Sequence, residues 1–317
     1  MFYTGSGAQL QFGKESTFGT GVAPTNLVDL TSESIKQSVE KGDEGSLLAS
    51  KTAMSRDLLG ITLDGSISGI LRPEMAGLMF HAALGGADTV AAATIEGNYT
   101  HTFNLCGASA LLPSLTFVMD RHAAVKKYAG CTIGSLSLEC AAGDYVKFSA
   151  DLKGIKEEAG ALTSGLTLSI PAYRCTNASF TIGGTSFDIS NATWKLDNAL
   201  EDADKTYASG LYLGQPQHGQ REVSIDFDIP YNAGFETFKS TYLDTETNAA
   251  IVLTFQSTNS DYKVSITMPN VAITDADAGI SGTGKISASA SGVALTVGST
   301  EPVTVVVEDK TSTAYGA

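Results

Sequence analysis

Apolar and polar residues alternate along several stretches of this chain, as they do in a β-strand that buries one face. The clearest run lies within residues 222–230, whose alternate apolar positions are Val223, Ile225, Phe227 and Ile229. Residues 146–152 and 264–268 alternate in the same way. Residues 178–189 have the pattern of a hairpin that turns at Gly183-Gly184. These patterns predict a mainly β fold.

Two short helices are predicted, each directly after a proline. Proline suits the first position of a helix, where its missing N–H would have had no partner. After Pro73, the apolar residues with the spacing of one helix face are Met75, Leu78, Met79 and Ala82. After Pro230, they are Phe235, Phe238 and Tyr242.

Internal similarity indicates that one unit is used twice. Residues 51–60 match residues 205–214 at five of ten positions, and residues 73–78 face residues 230–235 across the two halves. Leu115-Thr116-Phe117 also aligns with Leu253-Thr254-Phe255. We therefore predict two tandem domains, residues 1–162 and 163–317.

One part of this alignment conflicts with the alternation of apolar residues. When Pro73 is aligned with Pro230, the apolar positions of the two preceding strands are out of phase by one residue. Either a β-bulge at Gly65 or Gly69 absorbs the shift, or the alignment is locally wrong. The first unit also carries a longer connection, residues 85–104, which its Gly and Ala content predicts to be a loop.

Composition excludes several classes of protein. With 43% hydrophobic and 17% charged residues the chain is not disordered, and a net charge of −14 argues against binding nucleic acid or anionic membranes. Neither a secretion signal nor an apolar stretch of membrane-spanning length is recognisable, so we expect the protein to stay in the cytoplasm where it is made. The four cysteines form no C-x-x-C pair, which predicts buried, reduced thiols.

No motif predicts catalysis. Residues 279–286 match the glycines and lysine of a phosphate-binding loop, but Ile286 replaces the required Ser or Thr and a strand, not a helix, is predicted to follow. Asp275-Ala276-Asp277 begins like a calcium loop but lacks the later ligands, and we predict a solvated turn there. Asp226 and Asp228 fit an exposed strand face, and the four histidines lack zinc-site spacing. We expect a non-enzymatic protein without cofactor or metal.

The segment 9–20, with Pro24 and Val28-Asp29-Leu30 after it, resembles the start of phage tail tube proteins. The resemblance implies two tail-tube-like β-sandwich or barrel domains, each with one short flanking helix. It also implies a virion protein whose stacked rings form the tube for DNA delivery. By position, the loops 40–60 and 201–220 become ring-stacking elements. The candidate residues within them are Lys51, Thr52, Ser55, Lys205, Thr206 and Ser209.

Two copies of the fold in one chain imply a trimeric ring with pseudo-sixfold symmetry, and a hexamer is the alternative. The resemblance also implies a tape-measure protein and a tail terminator as partners, with DNA passing through the lumen without specific binding. We expect the protein in the host cytoplasm before assembly and in the virion tail afterwards, without a membrane. The competing hypothesis is a two-domain β-sandwich binding module, an adhesin or carbohydrate-binding protein, which would need an exposed aromatic platform built from the single Trp194 and scattered tyrosines.

Overall fold

The computed structural model describes residues 4–43, 56–203, 205, 210–245, 247–280 and 286–316, with positions 43 and 233 described by their backbone alone. The predicted mainly β fold is confirmed, and two short α-helices accompany the strands in these residues.

The elements of the first half end at residue 159. They are β1 (Gln9–Lys14), β2 (Asn26–Glu33), β3 (Lys36–Asp43), β4 (Arg56–Ile70), α1 (Pro73–Leu84), β5 (Thr89–Ala92), β6 (Tyr99–Asn104), β7 (Leu115–Asp120), β8 (Val125–Ala141), β9 (Lys147–Gly154) and β10 (Lys156–Ala159).

The elements of the second half begin at residue 173. They are β11 (Tyr173–Ile182), β12 (Thr185–Ser186), β13 (Asn191–Asp197), β14 (Leu200–Glu201), β15 (Gln217–His218), β16 (Glu222–Pro230), α2 (Ala233–Phe238), β17 (Ala249–Ser257), β18 (Lys263–Gly279), β19 (Ser287–Ala294) and β20 (Thr304–Asp309).

One antiparallel sheet runs through both halves of the chain. Its strand order is β3–β4–β9–β8, followed by β13–β16–β19–β18. The second group of four repeats the connectivity of the first, because β3, β4, β8 and β9 correspond in chain order to β13, β16, β18 and β19. The pairing of β8 with β13 joins the two groups.

The irregularities of the sheet repeat as well. β8 has a register shift between Ile133 and Ser135, and β18 has one between Ile273 and Asp275, 140 positions later. The β7–β8 and β17–β18 pairings also share a shift, at Leu115/Phe117 and at 249/251. Bulges disrupt a ladder at defined positions, so their recurrence fixes the structural alignment of the two halves.

This alignment corrects the one based on prolines. α1 begins at Pro73 and α2 at Ala233, 160 positions later, whereas Pro230 is the last residue of β16. Because side chains alternate between the two faces of a strand, a separation of 160 positions, an even number, keeps the apolar positions of β4 and β16 on the same face. The predicted bulge at Gly65 or Gly69 is wrong, because the β4–β9 register is unbroken from Leu63 to Ile70.

Two other matches shift in the same way. β7 does correspond to β17, but Leu115 occupies the place of Ala249 and not that of Leu253. The alternating residues 146–152 and 264–268 lie in β9 and β18, which are not equivalent strands. Residues 85–104 contain the β5–β6 hairpin where a loop was predicted. The predicted turn at Asp275-Ala276-Asp277 lies instead inside β18.

α1 buries the residues that the apolar spacing predicted, whereas Tyr242 lies beyond the end of α2 and is only partly buried. α1 is buried on all sides and ends at Gly85, whose left-handed φ of 74° lets the backbone N–H bond back to His81. Asn232 caps α2 by accepting the N–H of Gly234 at 2.8 Å. Phe235 and Phe238 are buried between the helix and the sheet.

Long strands connect the continuous sheet to a second layer. β8 and β18 each have 17 residues, and their first parts pair with different strands from their last parts. The first part of β8 pairs with β7 and β10, and that of β18 with β17 and β20. The buried side chains of both layers face each other, which gives each half a sandwich-like core. The predicted hairpin at Gly183-Gly184 is confirmed.

Glu15 organises the segment that carried the family resemblance. It is 5% exposed, and its carboxylate accepts four hydrogen bonds. Oε1 accepts from the Thr116 hydroxyl at 2.7 Å and the Gly130 N–H at 2.9 Å. Oε2 accepts from the Ser114 hydroxyl and the Gly19 N–H, both at 2.8 Å. The carboxylate therefore holds β1, its following turn and β8 together.

A buried ion cluster attaches the C-terminal segment to the first half. The His101 ring contacts Asp88 at 2.9 Å and Asp309 at 3.4 Å, and all three side chains are at most 4% exposed. The Tyr315 hydroxyl donates to Asp309 at 2.7 Å. Burial lowers the pKa of His101, but hydrogen bonds to Asp309, Asp88 and the Thr311 carbonyl outweigh it and raise the pKa to about 9.

The Glu15→Gln substitution should lower the free energy of unfolding by about 2 kcal/mol. Each carboxylate oxygen faces one backbone N–H, so either orientation of the new amide leaves one N–H opposite an NH₂ group. Urea unfolding of the variant and of an exposed control, Glu96→Gln, measures the difference. Equal stabilities would show that the four hydrogen bonds do not hold this segment.

Thermal stability should fall as the pH rises from 7 to 10. The folded-state pKa of His101 is above its unfolded value of 6.5, so its stabilising charge is fully present below about pH 6.5 and is lost through pH 9. In His101→Gln the melting temperature should be lower and should change less over this range. The control is His122→Gln at an exposed histidine. An unchanged pH slope in His101→Gln would contradict a charged His101.

Candidate assembly surfaces

The continuous sheet has one face turned away from the core, and that face is polar. Along β16 the buried residues alternate with Ser224, Asp226 and Asp228, as predicted. β8 and β4 present mainly serines on the same face, and β9 presents lysines, serines and an aspartate. The sheet therefore offers a wide polar surface that extends across both halves.

Four aspartates form a rectangle on this surface. Asp226 lies opposite Ser291, which lies opposite Asp275 on the next strand. Asp228, Ser289 and Asp277 form the adjacent row. Because neighbouring strands are about 4.8 Å apart, the serine strand β19 keeps the carboxylates of each row about 10 Å apart. This spacing limits the repulsion between like charges that direct pairing would cause.

The equivalent positions of the first half are uncharged. Four serines stand where the second half has aspartates: Ser66, Ser68, Ser135 and Ser137. The 160-position spacing of β4 and β16 and the 140-position spacing of β8 and β18 define this equivalence. The four-aspartate rectangle thus belongs to the second half, whereas the acidic residues of the first half, Asp64, Glu139 and Asp151, share the face with Lys147 and Lys153.

The sheet ends in two strands with open edges. β3 pairs with β4 on one side, and residues 272–279 of β18 pair with β19 on one side. In the part of the chain that the structure describes, no strand pairs with their other sides. An open edge presents unpaired N–H and C=O groups and can pair with another chain.

The two predicted stacking loops lie side by side. Lys205 forms an ion pair with Glu40 at 2.6 Å, and the Ile61 N–H donates to the Leu211 carbonyl at 2.8 Å. Lys153 binds Asp202 at 2.9 Å. The remaining candidates, Lys51, Thr52, Ser55, Thr206 and Ser209, lie outside the described residues. β3 reaches Asp43 and β4 begins at Arg56, so residues 40–43 and 56–60 of the first predicted loop are strand.

An apolar patch accompanies these loops. Val39, Leu58, Leu59 and Tyr212 are 37–51% exposed. Lys41 pairs with Leu58 in the β3–β4 ladder, and Ile61 forms a bridge with Tyr212, which places the four residues at the same end of the sheet. Large exposed apolar patches mark interaction sites. The alternation of apolar residues does not predict this patch, because Leu58 and Leu59 are consecutive and Tyr212 lies outside both strands.

The residues considered for catalysis or binding lie on the polar face or in the core. Asp226 and Asp228 are on the open polar face, and Trp194 is fully buried, so it offers no binding platform. His81 and His101 are buried in the core. The described residues contain no group of three potential metal ligands. Neither described helix is long and apolar enough to cross a membrane. Of the cysteines, three are buried thiols as predicted and Cys175 is partly exposed.

The sequence profile of the phage tail tube proteins matches residues 5–294. The match covers the polar face, both open edges and nearly all of the repeated strands. The chain belongs to the phage tail tube proteins. As a tail tube protein it is a structural component of the phage tail, and the predicted resemblance is confirmed. A search of curated protein sequences found no match.

Proposed function

We propose that this tail tube protein self-assembles into rings of three chains, and that stacked rings form the conduit for DNA. The observation that carries the proposal is the repeated strand order with an open edge at each end. β8 and β13 already join one four-strand unit to the next within the chain. β18 and β3 are the equivalents of these two strands, so the same joint between chains would extend the sheet and close it into a ring.

Three chains supply six four-strand units. A ring of three would therefore have the joints of a sixfold ring, three within chains and three between them. The domains 1–162 and 163–317 each contribute one unit to this arrangement. A ring of six chains would contain twelve four-strand units. Because each joint turns the sheet by a fixed angle, the same joint cannot close both a six-unit and a twelve-unit ring.

The polar face would line the lumen, because the opposite face carries the core and the second layer. Its aspartates would then alternate around the bore with the serine-rich faces of the first half. An acidic wall repels the phosphate backbone, so DNA would pass without binding. The tape-measure protein would occupy the same bore during assembly, and the tail terminator would cover the last ring.

Leu58, Leu59 and Tyr212 of the apolar patch, with the two adjacent loops, would contact the next ring, whereas Val39 lies on the open edge that would face the neighbouring chain of the same ring. Burial of apolar side chains such as Leu58 and Leu59 would remove their surface from water, which favours association. Assembly of these surfaces would begin in the host cytoplasm and end in the virion tail.

Electron microscopy of the purified protein at increasing concentration tests the proposal. We expect hollow tubes that show an open bore in end views and stacked rings with a regular axial repeat in side views. A protein that stays monomeric at every concentration and ionic strength tested would contradict self-assembly.

Charge reversal at Lys205 should weaken stacking more than folding. Lys205 is 44% exposed, and exposed ion pairs contribute about 1 kcal/mol or less, so Lys205→Glu should change the unfolding free energy by less than about 1 kcal/mol. Tubes of this variant, and of Lys51→Glu with Lys205→Glu, should be shorter. Lys310→Glu is the control at an exposed lysine of the C-terminal segment. An unchanged length distribution would remove both lysines from the stacking contact.

A further inference from the structure

We infer the residue register of the joint between two copies of this chain. β18 of one copy pairs antiparallel with β3 of the next, with Asp277 opposite Lys36 and Asp275 opposite Ser38. This inference rests on the proposed ring and specifies how its chains meet. It follows from the joint that the chain already contains.

The internal joint supplies the template. Where β8 pairs with β13, Leu138 lies opposite Trp194, Ser137 opposite Lys195 and Ser135 opposite Asp197. The ladder is regular over seven residue pairs, and the three at Lys195, Leu196 and Asp197 have their equivalents in β3, which begins at Lys36. Backbone hydrogen bonding of this kind does not depend on side-chain identity, so equivalent edges can form the same ladder.

The β8 side of the template transfers to β18. Leu136 pairs with Ala150 in the first half and Ala276 with Ala290 in the second, which displaces both strands by 140 positions. The shared bulge after Ile133 and after Ile273 confirms this displacement. Ser137 of the template therefore becomes Asp277, and Ser135 becomes Asp275.

The β13 side transfers to β3 through the neighbouring strands. Lys195 lies opposite Ser224 on β16, and Lys36 lies opposite Asp64 on β4. Asp64 and Ser224 are equivalent, because they are 160 positions apart like the starts of the two helices. Lys36 thus takes the place of Lys195, and the pair Lys195–Ser137 becomes Lys36–Asp277.

The transferred register makes opposite charges meet. Lys36 and Asp277 are both exposed, and neither has an ion-pair partner among the residues described. Opposite charges at facing positions of an antiparallel pair are stabilising. The register was derived from backbone equivalence alone, so this agreement of charge is independent support.

Val39 gives a second independent agreement. Its equivalent in the internal joint is Asn198, which is fully buried and donates to the Ile133 carbonyl at 2.9 Å. Val39 is 44% exposed in the single chain. In the joint it would lie against Ile273 of the next copy, the equivalent of Ile133, and its apolar side chain would leave water.

The charges also disfavour the wrong pairing. If β18 paired with β18 of another copy, Asp275 and Asp277 of both copies would face each other across one ladder. Like charges at facing positions are destabilising. The edge is therefore suited to β3, and specificity comes from repulsion as well as attraction.

Disulfide trapping in assembled tubes tests the register. In a Cys175→Ser background, four double variants use the same four positions in different combinations. The in-register pairs are Lys36→Cys with Asp277→Cys and Ser38→Cys with Asp275→Cys. The matched controls are Lys36→Cys with Asp275→Cys and Ser38→Cys with Asp277→Cys. Oxidised glutathione is the oxidant, and non-reducing gel electrophoresis detects covalent species.

The two in-register variants should cross-link at least about fivefold more than the controls. Facing Cβ atoms are about 4.5–5.5 Å apart, whereas diagonal neighbours are about 7–8 Å apart and exceed disulfide geometry. The covalent ladder should end at three chains. A ladder that continues to six chains would contradict the trimeric joint.

The remaining outcomes separate this inference from the proposed function. Tubes that cross-link mainly through the control pairs would show that the true register is displaced by two residues, which would overturn the inferred one. Tubes that form without any of the four cross-links would show that these edges do not meet. If the unsubstituted protein forms no tubes under the microscope, the proposed ring itself fails, whatever the cross-links show.

The charge-swap experiment examines the ion pair itself. Lys36→Asp alone places two acids opposite each other and should lower the association constant of each joint by about fivefold. The yield of tubes should fall as a result. Combining it with Asp277→Lys should restore the yield. Lys195→Asp is the control on the equivalent internal position, where Ser137 is uncharged. A double variant no better than Lys36→Asp would contradict the pairing.

Discussion

The hydrogen-bonded pairing of β8 with β13 is the interaction on which the rest of the structure depends. It converts two four-strand units into one sheet and fixes their relative orientation through seven facing residue pairs. Among the described residues, the outer edges of β3 and of the last part of β18 have no strand partner. Such edges can pair with another chain, and the internal joint is the template for the joint that we propose between chains.

The two units keep the same backbone but carry different charges. Their bulges, helix starts and core positions coincide, at a separation of 160 positions for β4 and β16 and of 140 positions for β8 and β18. Four serines of the first unit are replaced by aspartates in the second. The backbone is constrained by the buried face of the sheet, because a one-residue change in register would turn that face outward. The exposed face is free of that constraint, so its charges can differ between the two units.

The sequence predicted the strands, the helices and the existence of a repeat, because each depends on local alternation or spacing. It misaligned the two units because Pro73 and Pro230 have different roles, one at a helix start and the other at a strand end. It missed the β5–β6 hairpin because alanine and glycine carry little strand signal. It placed Asp275 and Asp277 in a turn because exposed acidic residues on a sheet look like loop residues.

The candidate site was only partly predictable. The resemblance directed attention to the loops, and Lys205 does contact the other loop through Glu40. The edge strands were not identifiable, since an open edge is defined by the absence of a neighbour in three dimensions. Trp194 was a candidate contact in the sequence but is fully buried in the structure. An exposed tryptophan and a core tryptophan can have the same sequence surroundings, and only the packing of the folded chain distinguishes them.

The central claim is that the joint within the chain and the joint between chains are the same. A helical reconstruction of the tube at strand-resolving detail tests it most directly. The account predicts one closed sheet around the bore, built from three chains, in which successive joints superimpose whether or not they cross a chain boundary. A wall interrupted at the chain boundaries, or a ring with another number of chains, would contradict it.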